Sequence, residues 1–399
     1  MLKLVVLAAL SLIFAPAAKS APLMSNCRGN WADTIASLEP QPSGPMMLSA
    51  IHCLPVAHRG YPVSPSPDGS KIFSVHAIEG LWVGGVDPDD ANHTFPGHAK
   101  LSVFTRHAPF EWLADSTEVI GVKDIMNDKG VVITRGQPYL FSNTGQQTPL
   151  PPLSHSNGTL REIYWMGGNG LAFATFTPSA ESFSDTTISL VDAKVGRVLE
   201  SVETATIQGL AAKRTLVAAA SRIDGTGRAH VLATWTPDTW VLWDQGDRPR
   251  VVPIHSNAIR KNYALSVDGS KALIMGNLSA TGWLCENGNR CPPPTPRSGM
   301  IAELREVSSG RLIWSLSGTA QTFSTSEVPA ISPDGRYALI TMPSDYDHIA
   351  LVSMTDGTVL QRFRMPYWGA LTLGFSPDAK QAWVTGGAVM AVFNIGLQH

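Results

Sequence analysis

The feature that most constrains this chain is a corner that returns. In AISPDGRYALITMP, Ala330 to Pro343, a Ser-Pro-Asp-Gly turn precedes an apolar run. Ser332 opens a type I turn, Pro333 presets φ, Asp334 bonds the local backbone and Gly335 takes the left-handed position. The YALITM that follows is rich in β-formers. Apolar approach, turn and apolar departure together predict a hairpin. The same pattern stands in SPSPDGSKIFSV with Asp68, LSVDGSKALIMG with Asp268 and FSPDAKQAWVTG with Asp378. Weaker copies are EWLADSTEVIGV with Asp115, YWMGGNGLAFATF with Gly168 and GLAAKRTLVAAAS with Lys213.

These seven turn positions are spaced 44 to 66 residues apart. A repeat of that length holding several short strands predicts an all-β protein, a seven-bladed β-propeller with four-stranded blades. Between successive turns lies a second half-repeat, strand, tight turn and strand. Clear examples are ISLVDAKVGRVLESV, IAELREVSSGRLIWSL and IALVSMTDGTVLQRF. The last copy, VMAVFNIGLQH, stops after one strand. An open ring exposes sheet edges. The apolar stretch Met46 to Leu54, which the first hairpin does not need, is therefore expected to complete the last blade. The expected organisation is a signal peptide over 1–20, an N-terminal extension over 21–45 and the propeller over 46–399. The longest interval places a surface insertion over 280–298 in blade 5.

The start, MLKLVVLAALSLIFAPAAKSAPL, has Lys3 before an apolar Leu4 to Ala15 segment, and small residues Ala18 and Ser20 before a cut. It reads as a cleaved secretory signal, which implies a periplasmic or extracellular protein. No later run is apolar enough to span a bilayer. Four cysteines then point to disulfides in an oxidising compartment, Cys285–Cys291 and Cys27–Cys53. Thirty Lys and Arg against 32 Asp and Glu give a net charge of −2 with no basic run, so nucleic acid is not an expected partner.

The paired motifs resemble the YVTN/TolB-like and WD40-like β-propeller superfamily across nearly all the mature chain. The resemblance implies architecture and many possible roles. Gly97-His98 and Trp243-Asp244 fall in different repeats, which departs from the true WD40 pattern. SSGRLIW, Ser308 to Trp314, resembles the tryptophan-docking motif of quinoprotein dehydrogenases, in a single copy.

No G-x-S-x-G, H-E-x-x-H, C-x-x-C-H or G-x-x-x-x-G-K-[ST] motif is present. VDPDDANH, with Asp87, Asp89 and Asp90, lacks the Gly and Glu of an EF-hand loop and reads as a solvated hairpin tip. Asn92, Asn157 and Asn277 start N-x-[ST] sequons. No metal or cofactor is expected. The segments entering the innermost strands contribute His58, Arg59, Arg106, His107, Arg161, Glu162, Arg260, Lys261, Glu327, Tyr367 and Trp368. Convergent positive charge at a channel mouth attracts an anion. The sequence therefore reads as a monomeric binding or assembly module for a protein or a small anionic ligand. The alternative is an enzyme at the channel, either a lactonase-like hydrolase or a quinoprotein-like oxidoreductase.

Overall fold

The computed structural model describes residues 39–40, 48–55, 63–66, 71–76, 80–85, 93–95, 110–126, 132–142, 146–153, 158–178, 187–210, 218–236, 239–254, 261–276, 283–284, 290–291, 297–320, 329–342, 348–364, 370–386 and 389–396. Among them the only helix is a 3-10 turn, Thr204–Thr206. The rest is an all-β propeller of antiparallel blades. No helix of the described residues is long and apolar enough to cross a membrane.

In chain order of their first strands, the sheets begin at Val63–Pro65, Phe110–Trp112, Thr159–Trp165, Ala218–Ile223, Lys261–Leu265, Ala330–Ile331 and Ala370–Phe375. They are called sheets 1 to 7 below. Six of them are four-stranded blades. Sheet 6 departs from the uniform pattern that the sequence led us to expect. It has five strands, because Glu39–Pro40 pairs with Gln361 and Arg362 on the outer strand Val359–Arg364. Part of the N-terminal extension thus covers an outer sheet edge, one way of hiding unpaired backbone groups.

The last sheet takes its outer strand from Leu48–Pro55, which pairs antiparallel with Val389–Ile395 in a register from Leu48↔Ile395 to Pro55↔Val389. This is the segment singled out for that role in the sequence. The insertion after Lys271–Gly276 holds a small hairpin in which Trp283 pairs with Cys291. The expected disulfides, the signal segment, Asp87, Asp89, Asp90 and the three sequons lie outside the described residues or in side chains that are not described.

The hydrophobic core lies between the sheets. Residues alternate along each strand, so one sheet feeds two interfaces. Val231, Ala233 and Trp243 of sheet 4 pack on Phe173, Ile188 and Leu190 of sheet 3. Their neighbours Leu232, Trp240 and Leu242 pack instead on Tyr263, Leu265 and Ile274 of sheet 5. Sheets 2 and 3 meet through Ile120, Val122, Ile163 and Phe176. Sheets 5 and 6 meet through Leu304, Trp314, Ile340 and Ala350. First strands are neighbours from sheets 3 to 4, 4 to 5, 5 to 6 and 6 to 7, and also from 1 to 2.

Trp314, the end of SSGRLIW, docks on the next sheet. Its indole N–H donates to the Met354 carbonyl at 3.1 Å. Its ring lies over Gly357, where a Cβ would stand 2.8 Å from Cδ2. This single docked tryptophan is part of the sheet 5 to sheet 6 core.

One turn assignment needs correction. GLAAKRTLVAAAS was expected to turn at Lys213 before a second strand. Residues 218–223 are instead the first strand of sheet 4, and its hairpin turns at Asp224 to Arg228. GLAAKRTLVAAAS resembles the apolar-turn-apolar pattern in composition, whereas IDGTGR carries the real Asp-Gly turn signal. Asp224 Oδ1 accepts the Thr226 and Arg228 amides at 2.8 and 3.0 Å.

Candidate functional site

The repeated turns come first, because their chemistry is closed. In sheet 6, the Ser332 hydroxyl donates to Asp334 Oδ1 at 2.6 Å, and the Tyr337 amide donates to Ser332 Oγ at 2.9 Å. Asp334 Oδ1 also accepts the Arg336 amide at 3.1 Å, and the Gly335 amide reaches Ser332 O at 2.8 Å. The same bonds recur at Ser266 with Asp268 and at Ser376 with Asp378. Where Gly335 stands in sheet 6, Ala379 takes the left-handed position in sheet 7 with φ 58°. Each Asp serves its own backbone.

Of the residues expected at the channel mouth, the structure describes Arg161 and Glu162 and the backbone of Lys261. Arg161 is the extra residue of a bulge, where the register slips between Leu160 and Glu162. Bulges re-aim side chains at sheet edges. Glu162 accepts the Tyr164 hydroxyl at 2.5 Å. Lys261 pairs with Gly276 at the start of the first strand of sheet 5. His58, Arg59, Arg106, His107, Arg260, Glu327, Tyr367 and Trp368 lie outside the described residues.

A different group stands out at the other ends of the first strands, next to the hairpin turns. Glu111 is the middle residue of Phe110–Trp112 in sheet 2. Phe110 and Trp112 point the other way into the core, and Phe110 meets Phe73 with ring centroids 5.0 Å apart. Glu111 pairs with Ile120 and faces the sheet 3 turn. Its Oε1 accepts the Gly167 amide at 2.8 Å. That turn is locked to sheet 2 by the Ala114 amide, which donates to Gly168 O at 2.8 Å. Gly167 and Gly168 have φ of 97° and 69°, which exposes their amides to the carboxyl.

Glu111 Oε2 has no hydrogen-bond partner and no contact with solvent, although the residue as a whole is only half-buried. Burial pushes the Glu111 carboxyl up to about 7, against the Gly168 and Gly167 amides and the charge of Arg222, which favour the anion. Arg222, in Ala218–Ile223 of sheet 4, is largely desolvated, which lowers its pKa, while the Glu111 charge opposes the shift. The two interact through the electric field. Among the described residues no hydrogen bond or ion-pair contact joins them, and none engages the Arg222 guanidinium.

Register extends this charge outward. Arg222 pairs with His230, and His230 pairs with Asp244, so the three share one face of sheet 4. That face looks toward the sheet 5 turn, where a Cβ on Gly269 would lie 2.6 Å from His230 Cγ. The His230 ring nitrogens face Asp244 Oδ1 at 2.7 Å and Asp224 Oδ2 at 3.1 Å. A neutral ring donates to only one of the two. The Thr226 hydroxyl, His230 and the Arg228 amide hold the Asp224 carboxyl well below the usual range. Among the described residues, no three Cys, His, Asp or Glu side chains are placed to hold a metal ion.

Glu111 and Arg222 were not among the residues picked from the sequence. The available signal is the Glu of FEWL, a charged residue inside an otherwise apolar first strand. No protein-family model matches the chain, and no curated protein matches it in sequence.

Proposed function

We propose that the chain is a secreted or periplasmic binding module, YVTN/TolB-like in architecture. Its six four-stranded blades and the five-stranded sheet make one ring of seven around a central channel. A protein or small anionic ligand is held at that channel. The observation that carries the reading is the contrast in polar satisfaction. The turn carboxylates bond a hydroxyl and an amide of their own turn, whereas among the described residues the buried Oε2 of Glu111 has no hydrogen-bond partner and no hydrogen bond engages the Arg222 guanidinium. Polar atoms that the fold does not itself satisfy on the innermost strands are available to a ligand in the channel.

The test is affinity capture from the native envelope or secretome, with mass spectrometry of what co-purifies. Replacing Arg59, Arg161 and Arg260 together with Gln is expected to abolish capture. Unchanged capture by that triple variant refutes ligand holding at the mouth. A second reading, a hydrolase, draws on the buried, unbonded Oε2 of Glu111, whose carboxyl burial pushes up to about 7, a range suited to general acid and base work. Turnover of a lactone panel that is lost in Glu111→Gln would favour it.

A further inference from the structure

The first-strand turns of sheets 5, 6 and 7 close on a serine hydroxyl, whereas the sheet 4 turn is tied to a histidine. Asp224 Oδ1 accepts the Thr226 hydroxyl at 2.7 Å as well as the Thr226 and Arg228 amides. Its second oxygen, Oδ2, faces His230 Nε2 at 3.1 Å, while Nδ1 of the same ring faces Asp244 Oδ1 at 2.7 Å. The ring therefore bridges the first hairpin turn and the end of the third strand. Toward sheet 5 it has no room to swing, because the Gly269 backbone lies against it: a Cβ there would stand 2.6 Å from Cγ and 2.9 Å from Nδ1. The His230 and Asp224 side chains are 15% and 19% exposed. Arg228 makes a second tie across the same gap, to Asp247 Oδ2 at 2.6 Å, but that pair is 41% and 63% exposed and so holds less firmly.

A protonated imidazole has two N–H groups and serves both carboxylates. A neutral one has a single N–H and turns a lone pair on the other anion. The shorter contact, to Asp244, retains the donor. Asp224 cannot restore its own side by taking up a proton, because the Thr226 hydroxyl, His230 and the Arg228 amide hold its carboxyl well below the usual range. Other charged groups surround the ring. Arg222 is its register partner on the first strand. In the sheet 5 turn, Lys271 stands near Asp268, whose carboxyl bonds Ser266 and Ser270. On the third strand of sheet 5, Arg305 pairs in register with Ala272, which packs toward sheet 4, and Arg305 bonds Glu303 at 2.8 Å. We infer that His230 is a pH-operated latch on the first hairpin of sheet 4: the protonated ring ties the Asp224 turn to Asp244, and the neutral ring keeps Asp244 and releases the turn. The released segment carries Arg222, two residues before Asp224, so the latch sets how firmly that end of an innermost strand is held. The latch does not depend on the channel-binding reading above.

Histidine side chains change charge between about pH 5 and 8, so the two forms are compared at about pH 5.5 and pH 8.5. Amide hydrogen exchange of the full chain, corrected for the intrinsic rate, is the first measurement. Protection of the Thr226 and Arg228 amides should fall about tenfold from the lower pH to the higher, the scale of one hydrogen bond to a charged group. The Arg336 amide, held by Asp334 in a turn without histidine, should not change. The ring ¹⁵N spectrum, assigned by the signal lost in His230→Gln, should show both nitrogens protonated at the lower pH and Nδ1 alone at the higher. His230→Gln should give weak protection of the turn at both. Asp224→Asn keeps an acceptor for the turn amides and offers an N–H to the bare Nε2, so it should stay fully protected at the higher pH. A ring that holds one protonation state across the range, or wild-type protection that does not vary with pH, would overturn the latch. So would a pH dependence that persists unchanged in His230→Gln or in Asp224→Asn.

Discussion

Asp334 and Glu111 are both carboxylates beside a first-strand hairpin, and the structure uses them in opposite ways. Asp334 is exposed and accepts a hydroxyl and an amide within its own turn. Glu111 accepts an amide from another sheet and leaves Oε2 buried and unbonded. A carboxylate that closes on neighbours two residues away can be copied around the ring at no cost to its surroundings. One whose setting is assembled from three sheets occurs once among the described residues. In a repeat protein, departure from equivalence is therefore a better pointer to function than the repeated residue itself.

The comparison breaks first at Glu111→Gln. The folded protein keeps a Glu111 proton that the unfolded chain releases between about pH 4.5 and 7. Stability from this group is thus present at low pH and lost as pH rises through about 7. The Gln variant should be more stable than wild type at pH 8, by about 1–3 kcal/mol, and no more stable at pH 4. Urea unfolding at the two pH values checks this. A pH-independent loss of stability would make Glu111 another structural corner.

Next comes Ser332→Ala. Ser332 is fully buried, and its hydroxyl accepts the Tyr337 amide while donating to Asp334. Removing it should cost about 1–3 kcal/mol in the same assay, with no pH dependence between 6 and 8. Gly335→Ala should cost about 1 kcal/mol, because its φ of 69° strains a Cβ although nothing lies within 4 Å of one. Ala379 tolerates the same position in sheet 7. The smallest effect is acidic. The Ser376 hydroxyl and Lys380 amide hold the exposed Asp378 carboxyl below its usual value. Its contribution is present above about pH 4 and fades as pH falls further, so Asp378→Asn should slightly flatten the acid unfolding curve.

Much of the fold was legible because its determinants are local. The Ser-x-Asp-Gly turns and the second half-repeat each announce themselves within a dozen residues. Even Leu48–Pro55 could be assigned, because closure demanded a spare apolar strand. The blade 4 turn was misplaced because GLAAKRTLVAAAS imitates a hairpin in composition, whereas Asp224 with Gly225 and Gly227 supplies one in fact. The fifth strand of sheet 6 was not foreseen, since Glu39–Pro40 has no strand signature of its own and is defined by the edge it meets. The candidate site was the least legible part. Loop charges entering the channel can be counted from sequence, but the setting of Glu111 comes from burial, and the groups that favour its anion, Gly167, Gly168 and Arg222, lie 56 residues or more away in the chain.

The pairing of Leu48–Pro55 with Val389–Ile395 joins the most widely separated strands in the described chain. Loop-closure entropy makes such a contact late in folding. During synthesis, six of the seven sheets can assemble before Val389–Ile395 exists, so the ring waits on its last strand. Until then Leu48–Pro55 is an apolar edge in search of a partner, and any chain trapped at that stage is the form most prone to pair with another copy.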